Sequence, residues 1–270
     1  MSVNVGVAVR AEKDKDRVAR GSEYAWISVA SVVAGLAIWH VISLLTNPLF
    51  LVGPVETVVE FGELVTSGEY FPHLWLSGQE FLYGFGFAIL VGVPLGLAMA
   101  ISRRAEAVVE PWAWILNATP RLALGPLVVL WVGIGIWSKI VLVFVGAVFP
   151  ILINTYVGAK DVDGQMRLAA RAFGASRREQ FLTILIPGAL PHIISGLRLG
   201  AIQGILGVLV GEFFGSRGGI GNMIFAAAQT FETAKMLVGI VTFAVAGLAV
   251  SMSLRWLEAY LAPWRRGAER

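Results

Sequence analysis

The run LAARAFGASRREQFLTILIP, residues 168–187, decides how this chain is read. It is a charged helical segment, punctuated by Gly174 and closed by Pro187, between two long apolar stretches. Hydrocarbon offers polar groups no partner, so such an insert lies outside the bilayer, where it ends a span or grips something. Asp161 or Asp163 can cap a helix running through about Phe173, and Gly174 with Ser176 then permits a bend. A second helical piece over 177–185 is expected to stop at Pro187, with Pro191 following and Ser195 reopening a helix into the bilayer. On the first helix Met166, Ala169, Ala170 and Phe173 share a face by three- and four-residue spacing, with Arg167, Arg171 and Arg178 elsewhere. Small alanines flanked by arginines form a knob suited to a partner's groove. The same pattern suits a helix lying on anionic headgroups, and spacing alone does not choose.

The composition explains why a bilayer is in question. Of 270 residues, 57% are hydrophobic and 14% charged, and the mean hydropathy is +0.75. A soluble domain carries about 25% charged residues, so the excess apolar surface implies lipid as a second solvent. With no cysteine, disulfides and thiolate metal sites are excluded. The net charge of +3 is no nucleic-acid footprint.

A crossing helix needs about 20 mostly apolar residues. Six stretches qualify: 25–45, 82–101, 112–132, 140–158, 195–214 and 236–257. The first is longer than a signal-peptide core and lacks a clean small-residue cleavage site, so it reads as an uncleaved span. Six spans place both termini on one side. Lys and Arg favour the cytoplasm, and 16 of the 21 fall in 1–24, 102–111, 159–194 and 255–270. The connection 46–81 holds none, but carries Glu56, Glu60, Glu63, Glu69 and Glu80. The expected fold is therefore an all-α membrane protein with six transmembrane helices and a cytoplasmic helical insert. Residues 1–24 form a cytoplasmic segment, 25–260 the span domain with its 159–194 loop, and 261–270 a cytoplasmic tail.

Residues 55–66 read as an amphipathic helix along the outer face. Gly92, Pro94 and Gly96 interrupt the second span; Pro111, Pro120 and Pro126 mark the third. Small residues four apart, Gly92/Gly96 and Gly211/Gly215, allow close helix approach.

Ionisable groups at membrane depth default to functional suspicion. Arg121, Gln203 and Glu212 are the candidates for a translocation path, with Asn117 and Asn154 as further polar groups; each also has a packing reading. Arg198 is expected to snorkel to the cytoplasmic surface. No phosphate-cradling Gly-x4-Gly-Lys-Ser/Thr occurs, so the chain itself is not expected to hold ATP. The glycine run 215–221 reads as an outer turn. His40, His73 and His192 are scattered, so no metal site is expected, and no residues are assigned as catalytic.

The spacing Ala169-Ala170, Gly174, Ile184-x-Ile186-Pro187 resembles the EAA loop of ABC importer permeases, Glu-Ala-Ala-x3-Gly-x9-Ile-x-Leu-Pro. Leu168 stands where that pattern has Glu, and Ile186 where it has Leu. Further segments resemble the nitrate, sulfonate, taurine and thiamine-precursor branch: Thr119–Leu127 (TPRLALGPL), LWVGIG over 130–135, FPI over 149–151, PGALP over 187–191 and GGIG over 218–221. The resemblance implies a type I importer permease in a bacterial inner membrane, with both termini cytoplasmic. It implies that Leu168, Ala169, Ala170, Arg171, Phe173, Gly174, Ile184 and Pro187 couple the chain to an ATPase. Two ATPase subunits, a second permease subunit (a homodimer), an external solute-binding protein and membrane lipid are the implied partners, with no nucleic acid. ATP-Mg is used by the ATPase, and the solute is small and anionic or heteroaromatic. An ion-coupled carrier or channel is the alternative. It accounts for the spans but not for the arginine-rich insert.

Overall fold

The computed structural model describes residues 24, 26–162 and 164–263, without the side chains of Arg121, Leu122 and Arg167. The expected 1–24 segment (apart from Tyr24), the Asp163 cap and most of the expected tail lie outside them. The described chain is all helical. Among the described residues, five helical stretches are long and apolar enough to cross a membrane: α1 (Trp26–Leu45), α3 (Tyr70–Ile101), α6 (Ile136–Lys160), Arg177–Phe213 and α11 (Thr233–Leu261). Shorter elements are α2 (Pro54–Thr66), α4 (Arg103–Ala118), α5 (Gly125–Val132), α7 (Gly164–Ala172), α8 (Arg177–Gln180) and α10 (Ile220–Thr230).

The centre is α6, which packs against α3 and α9 (Ile186–Phe213), the greater part of the Arg177–Phe213 rod. Val143, Ala147 and Ile151 are fully buried there, with Ala88 of α3 and Ala201 of α9. Close approach sets the register. A Cβ on Gly96 would lie 2.6 Å from the Leu152 carbonyl oxygen, and one on Gly207 2.8 Å from that of Leu142. Apolar surface gains little by leaving lipid, so this intimate backbone contact does much of the holding.

The contacts also fix direction. Along α3, Gly84, Gly92 and Gly96 meet Val143, Ile151 and Thr155 of α6 in rising order, so the two helices run parallel. Residues 102–135 must therefore cross back between them. They do so in pieces, and this corrects the expected continuous span over 112–132. Helix α4 ends at Ala118, a 3₁₀ turn occupies Arg121–Leu124, and α5 packs Gly125 against Val210 and Phe214 at the far end of α9. Thr119 has ψ 135°, the extended conformation that Pro120 imposes on its predecessor while itself lacking an amide to donate.

Two further expectations change. Helix α3 begins at Tyr70, so the connection after α2 is a short turn and Glu80 belongs inside a helix. Pro187 does not stop the second coupling helix. A π turn over Phe181–Leu185, with Ile186 N–H reaching the Phe181 carbonyl, leads directly into α9. The added residue makes room for a proline ring that would otherwise meet the preceding turn. Arg177–Phe213 is thus one 37-residue rod.

Arg198 does not simply snorkel: its Nη2 meets Glu258 Oε2 of α11 at 3.0 Å. At the same end, Tyr156 Oη donates to Glu106 Oε1 at 2.6 Å, and Lys160 Nζ donates to the same oxygen, tying α4 to α6. The Lys160 bond, then that of Tyr156, holds the Glu106 carboxyl below its ordinary value of 4.5. A depressed folded pKa means this tie is present above the unfolded value and lost as pH falls through the folded one. The melting points of wild type and Glu106→Gln should therefore differ at neutral pH and converge only as pH falls through the lowered folded value; a constant difference would contradict the tie.

Candidate functional site

The loop 159–194 carries the residues singled out in the sequence. Helix α7 ends in a Schellman motif: Ala175 N–H donates to the Ala170 carbonyl and Gly174 N–H to that of Arg171, each at 2.9 Å. Gly174 sits at φ +83°, the left-handed conformation that this cap demands. Ser176 opens the rod with a capping box, its hydroxyl accepting from Glu179 N–H and the Glu179 carboxylate accepting from Ser176 N–H. Gln180 clamps the bend: its Nε2 donates to the Ala175 carbonyl at 2.8 Å, and its Oε1 accepts from Arg171 Nε at 3.3 Å. The loop is a stiff elbow.

Its expected apolar face divides. Met166 and Ala169 line a cavity of about 540 Å³ with Ile184, Pro187 and His192, between α7 and the base of the rod. Phe173 is 91% exposed, and Leu168 and Met166 are also largely exposed. Ala170 is half-buried and Arg171 exposed. The eight residues singled out in the sequence thus lie on α7, its cap and the base of the rod, but only Ala169, Ile184 and Pro187 of them line this cavity.

The three path candidates do not form one group. Gln203 and Glu212 share α9 but lie nine residues apart, about 14 Å along the axis. Gln203 is half-buried, and the Arg121 side chain is outside the described residues. Glu212 is fully buried. Its carboxylate accepts from Ser77 Oγ at 2.6 Å and from Gly221 N–H, so it caps α10 from another helix. Ser77 Oγ also accepts from Ile220 N–H at 2.8 Å, and His73 Nδ1 accepts from Gly219 N–H at 3.0 Å. A Cβ on Gly219 would fall 2.0 Å from Glu212 Oε1, at φ +100°. This tight fit needs glycine twice over, and it turns 215–221 into a latch between α3, α9 and α10.

Sequence reasoning missed the neighbours of Glu212. Glu80 and Lys139 looked like outer-loop charges, yet they are 1% and 2% exposed. Lys139 Nζ donates to the Gly215 carbonyl at 3.1 Å. Both border a cavity of about 520 Å³ with Gly135, Ser216 and Arg217. The available signal was a lone charge abutting an apolar run, at Glu80–Phe81 and Lys139–Ile140.

Known proteins carry this architecture. The chain is 37% identical over 249 residues to a putative aliphatic sulfonates transport permease protein of Bacillus subtilis, covering 91% of this chain and 90% of that one. It is 29% identical to the taurine transport system permease protein of Escherichia coli, covering 88% and 89%. A chain of the MetNI methionine ABC transporter in an inward-facing conformation matches in fold, with a TM-score of 0.63, 20% identity, and coverage of 70% of this chain and 94% of that one. The family model described as binding-protein-dependent transport system inner membrane component matches residues 92–267. The chain therefore belongs to the family of binding-protein-dependent transport inner membrane components, as an ABC importer permease of the sulfonate, taurine and thiamine-precursor branch.

Proposed function

We propose that this chain is the permease half-pore of an ATP-driven importer for a small anionic or heteroaromatic solute, delivered by an external binding protein. Two copies enclose the path, and two separate ATPase subunits, which use ATP-Mg, dock on the elbows around residues 165–187. Both termini and the loop 159–194 face the cytoplasm, as the basic residues of that end favour. Residues 25–260 form the permease body, and residues 1–24 and 261–270 its cytoplasmic ends.

The observation that carries this reading is Phe173. An aromatic side chain 91% exposed on a polar loop has little reason to face water, and it sits on the elbow at the foot of a 37-residue rod. ATP closes the ATPase pair, the pair moves α7, and the capping box and Gln180 pass that movement to the rod. ATP supplies the bias because it binds the closed pair more tightly. The related permeases named for aliphatic sulfonates, taurine and formylaminopyrimidine support the solute class.

Phe173→Glu should lower copurification of the ATPase by about 30-fold, the ~2 kcal/mol of an aromatic anchor, without changing the amount of permease in the membrane. Undiminished copurification would exclude docking at this residue. Uptake by the reconstituted chain alone, driven by an ion gradient, would favour the carrier instead.

A further inference from the structure

At the base of the rod, a cavity of about 650 Å³ is lined by three arginines, Arg171 of α7 and Arg177 and Arg178 of α8. No carboxylate lines it. The acid beside them in the sequence, Glu179, spends its Oε2 on Ser176 N–H at 2.7 Å. None of the three arginines has an ion pair among the described residues. Arg171 is nonetheless held in place. Its Nε donates to Gln180 Oε1 at 3.3 Å, and Gln180 is buried and bonded to the Ala175 carbonyl. Like charges around one space repel, and an anion placed there converts that repulsion into charge-assisted hydrogen bonds.

The remaining wall is apolar. Phe181 and Leu185 of the rod and Ile101 of α3 line it. Leu185 is buried, whereas Ile101 is 62% exposed and is the last residue of a helix long enough to cross the bilayer. The cavity therefore joins a cationic wall to an apolar one where a membrane helix ends. A soluble anion or an acidic protein segment answers the arginines and leaves the apolar wall wet. A phospholipid answers both, with its phosphate on the guanidiniums and its acyl carbons on Ile101 and Phe181. Basic pockets between spans hold anionic headgroups by this combination. Phe173, the proposed ATPase anchor, does not line this cavity, which shares no residue with the one holding Met166 and Ala169.

We propose that this cavity binds one anionic phospholipid, its headgroup phosphate shared by Arg171, Arg177 and Arg178 and its acyl chain laid on Ile101 and Phe181. Arg171 lies in the last turn of α7, and Arg177 and Arg178 open the rod, on either side of the Gly174–Ser176 bend. The lipid thus bridges both arms of the elbow and pins it to the membrane surface, adding to the clamp made by Gln180. The inference goes beyond the importer reading and is independent of the solute.

The test is native mass spectrometry of the full chain with dioleoylphosphatidylglycerol and dioleoylphosphatidylcholine, which share their acyl chains and differ in net charge. Wild type should retain the anionic lipid over the zwitterionic one by about tenfold or more, at about fivefold per arginine engaged. The double variant Arg177→Gln, Arg178→Gln should lower that preference by about tenfold. Replacing the same pair by lysine keeps the charge and should keep most of the preference. Arg255→Gln removes an exposed charge of α11 outside the cavity and should change it by less than about twofold. Equal retention of the two lipids by wild type, or an equal loss of preference in Arg255→Gln and the double variant, would overturn the proposal. Displacement of the lipid by glycerol phosphate at matched concentration would make a free phosphate ester the ligand and overturn it too. So would an unchanged lipid preference in a double variant that loses its ATPase, because the arginines would then belong to that partner.

Discussion

Gly174→Trp will insert into the membrane in normal amount and lose ATP-driven uptake by about tenfold or more, equivalent to at least ~1.4 kcal/mol of coupling. A Cβ at Gly174 meets no atom within 4 Å, so the indole has no interior to disrupt. Two effects remain. The first is backbone strain, because φ is +83° and a left-handed non-glycine residue costs about 1–2 kcal/mol. The second is steric, because the ring projects beside Phe173, where we propose that the ATPase docks. Gly174→Asn separates them, since asparagine tolerates the left-handed cap but adds little bulk. Uptake should be largely kept in Gly174→Asn and lost in Gly174→Trp, measured in proteoliposomes with the ATPase and binding protein. Normal uptake by the tryptophan variant would remove the elbow from the coupling path.

The second large effect belongs to the outer latch. Glu212→Ala removes the acceptor of Ser77 Oγ and Gly221 N–H and leaves Lys139 short of a counter-charge. Breaking such a buried charged network costs about 3–5 kcal/mol, so the variant should melt well below wild type in detergent. Glu212→Gln keeps an acceptor oxygen and loses the charge, and it should fall between the two. The ordering wild type, Gln, Ala tests the latch. Equal stability of all three would mean that α10 is held by packing alone.

These two sites differ in how far they could be read in advance. The coupling elbow is local in sequence. The bend at Gly174 and Ser176 depends on residues within a few positions, so spacing was enough for it, although the Schellman cap and the Ser176–Glu179 capping box that stiffen it were seen only in the structure. Helix α2 and the amphipathic reading of 55–66 agree for the same reason. The Pro187 expectation went astray because a proline's cost depends on what the preceding turn does with its carbonyls, and a π turn removed the clash. The latch was not legible. Glu80, Lys139 and Glu212 are 59 and 73 residues apart along the chain, and each alone resembles an ordinary charge at a span end.

What the amino-acid sequence determined by itself was the solvent and the grammar. Long apolar runs demand a bilayer because backbone groups in lipid must be satisfied within helices, and the Gly–Pro spacing around 168–187 defines an elbow. What only the tertiary structure decided was which helices run side by side. Parallel α3 and α6, separated by a broken return crossing, bring Ser77 and Glu80 against Glu212 and Lys139. A buried charge is tolerable only where folding delivers its partners, and those partners come from distant helices.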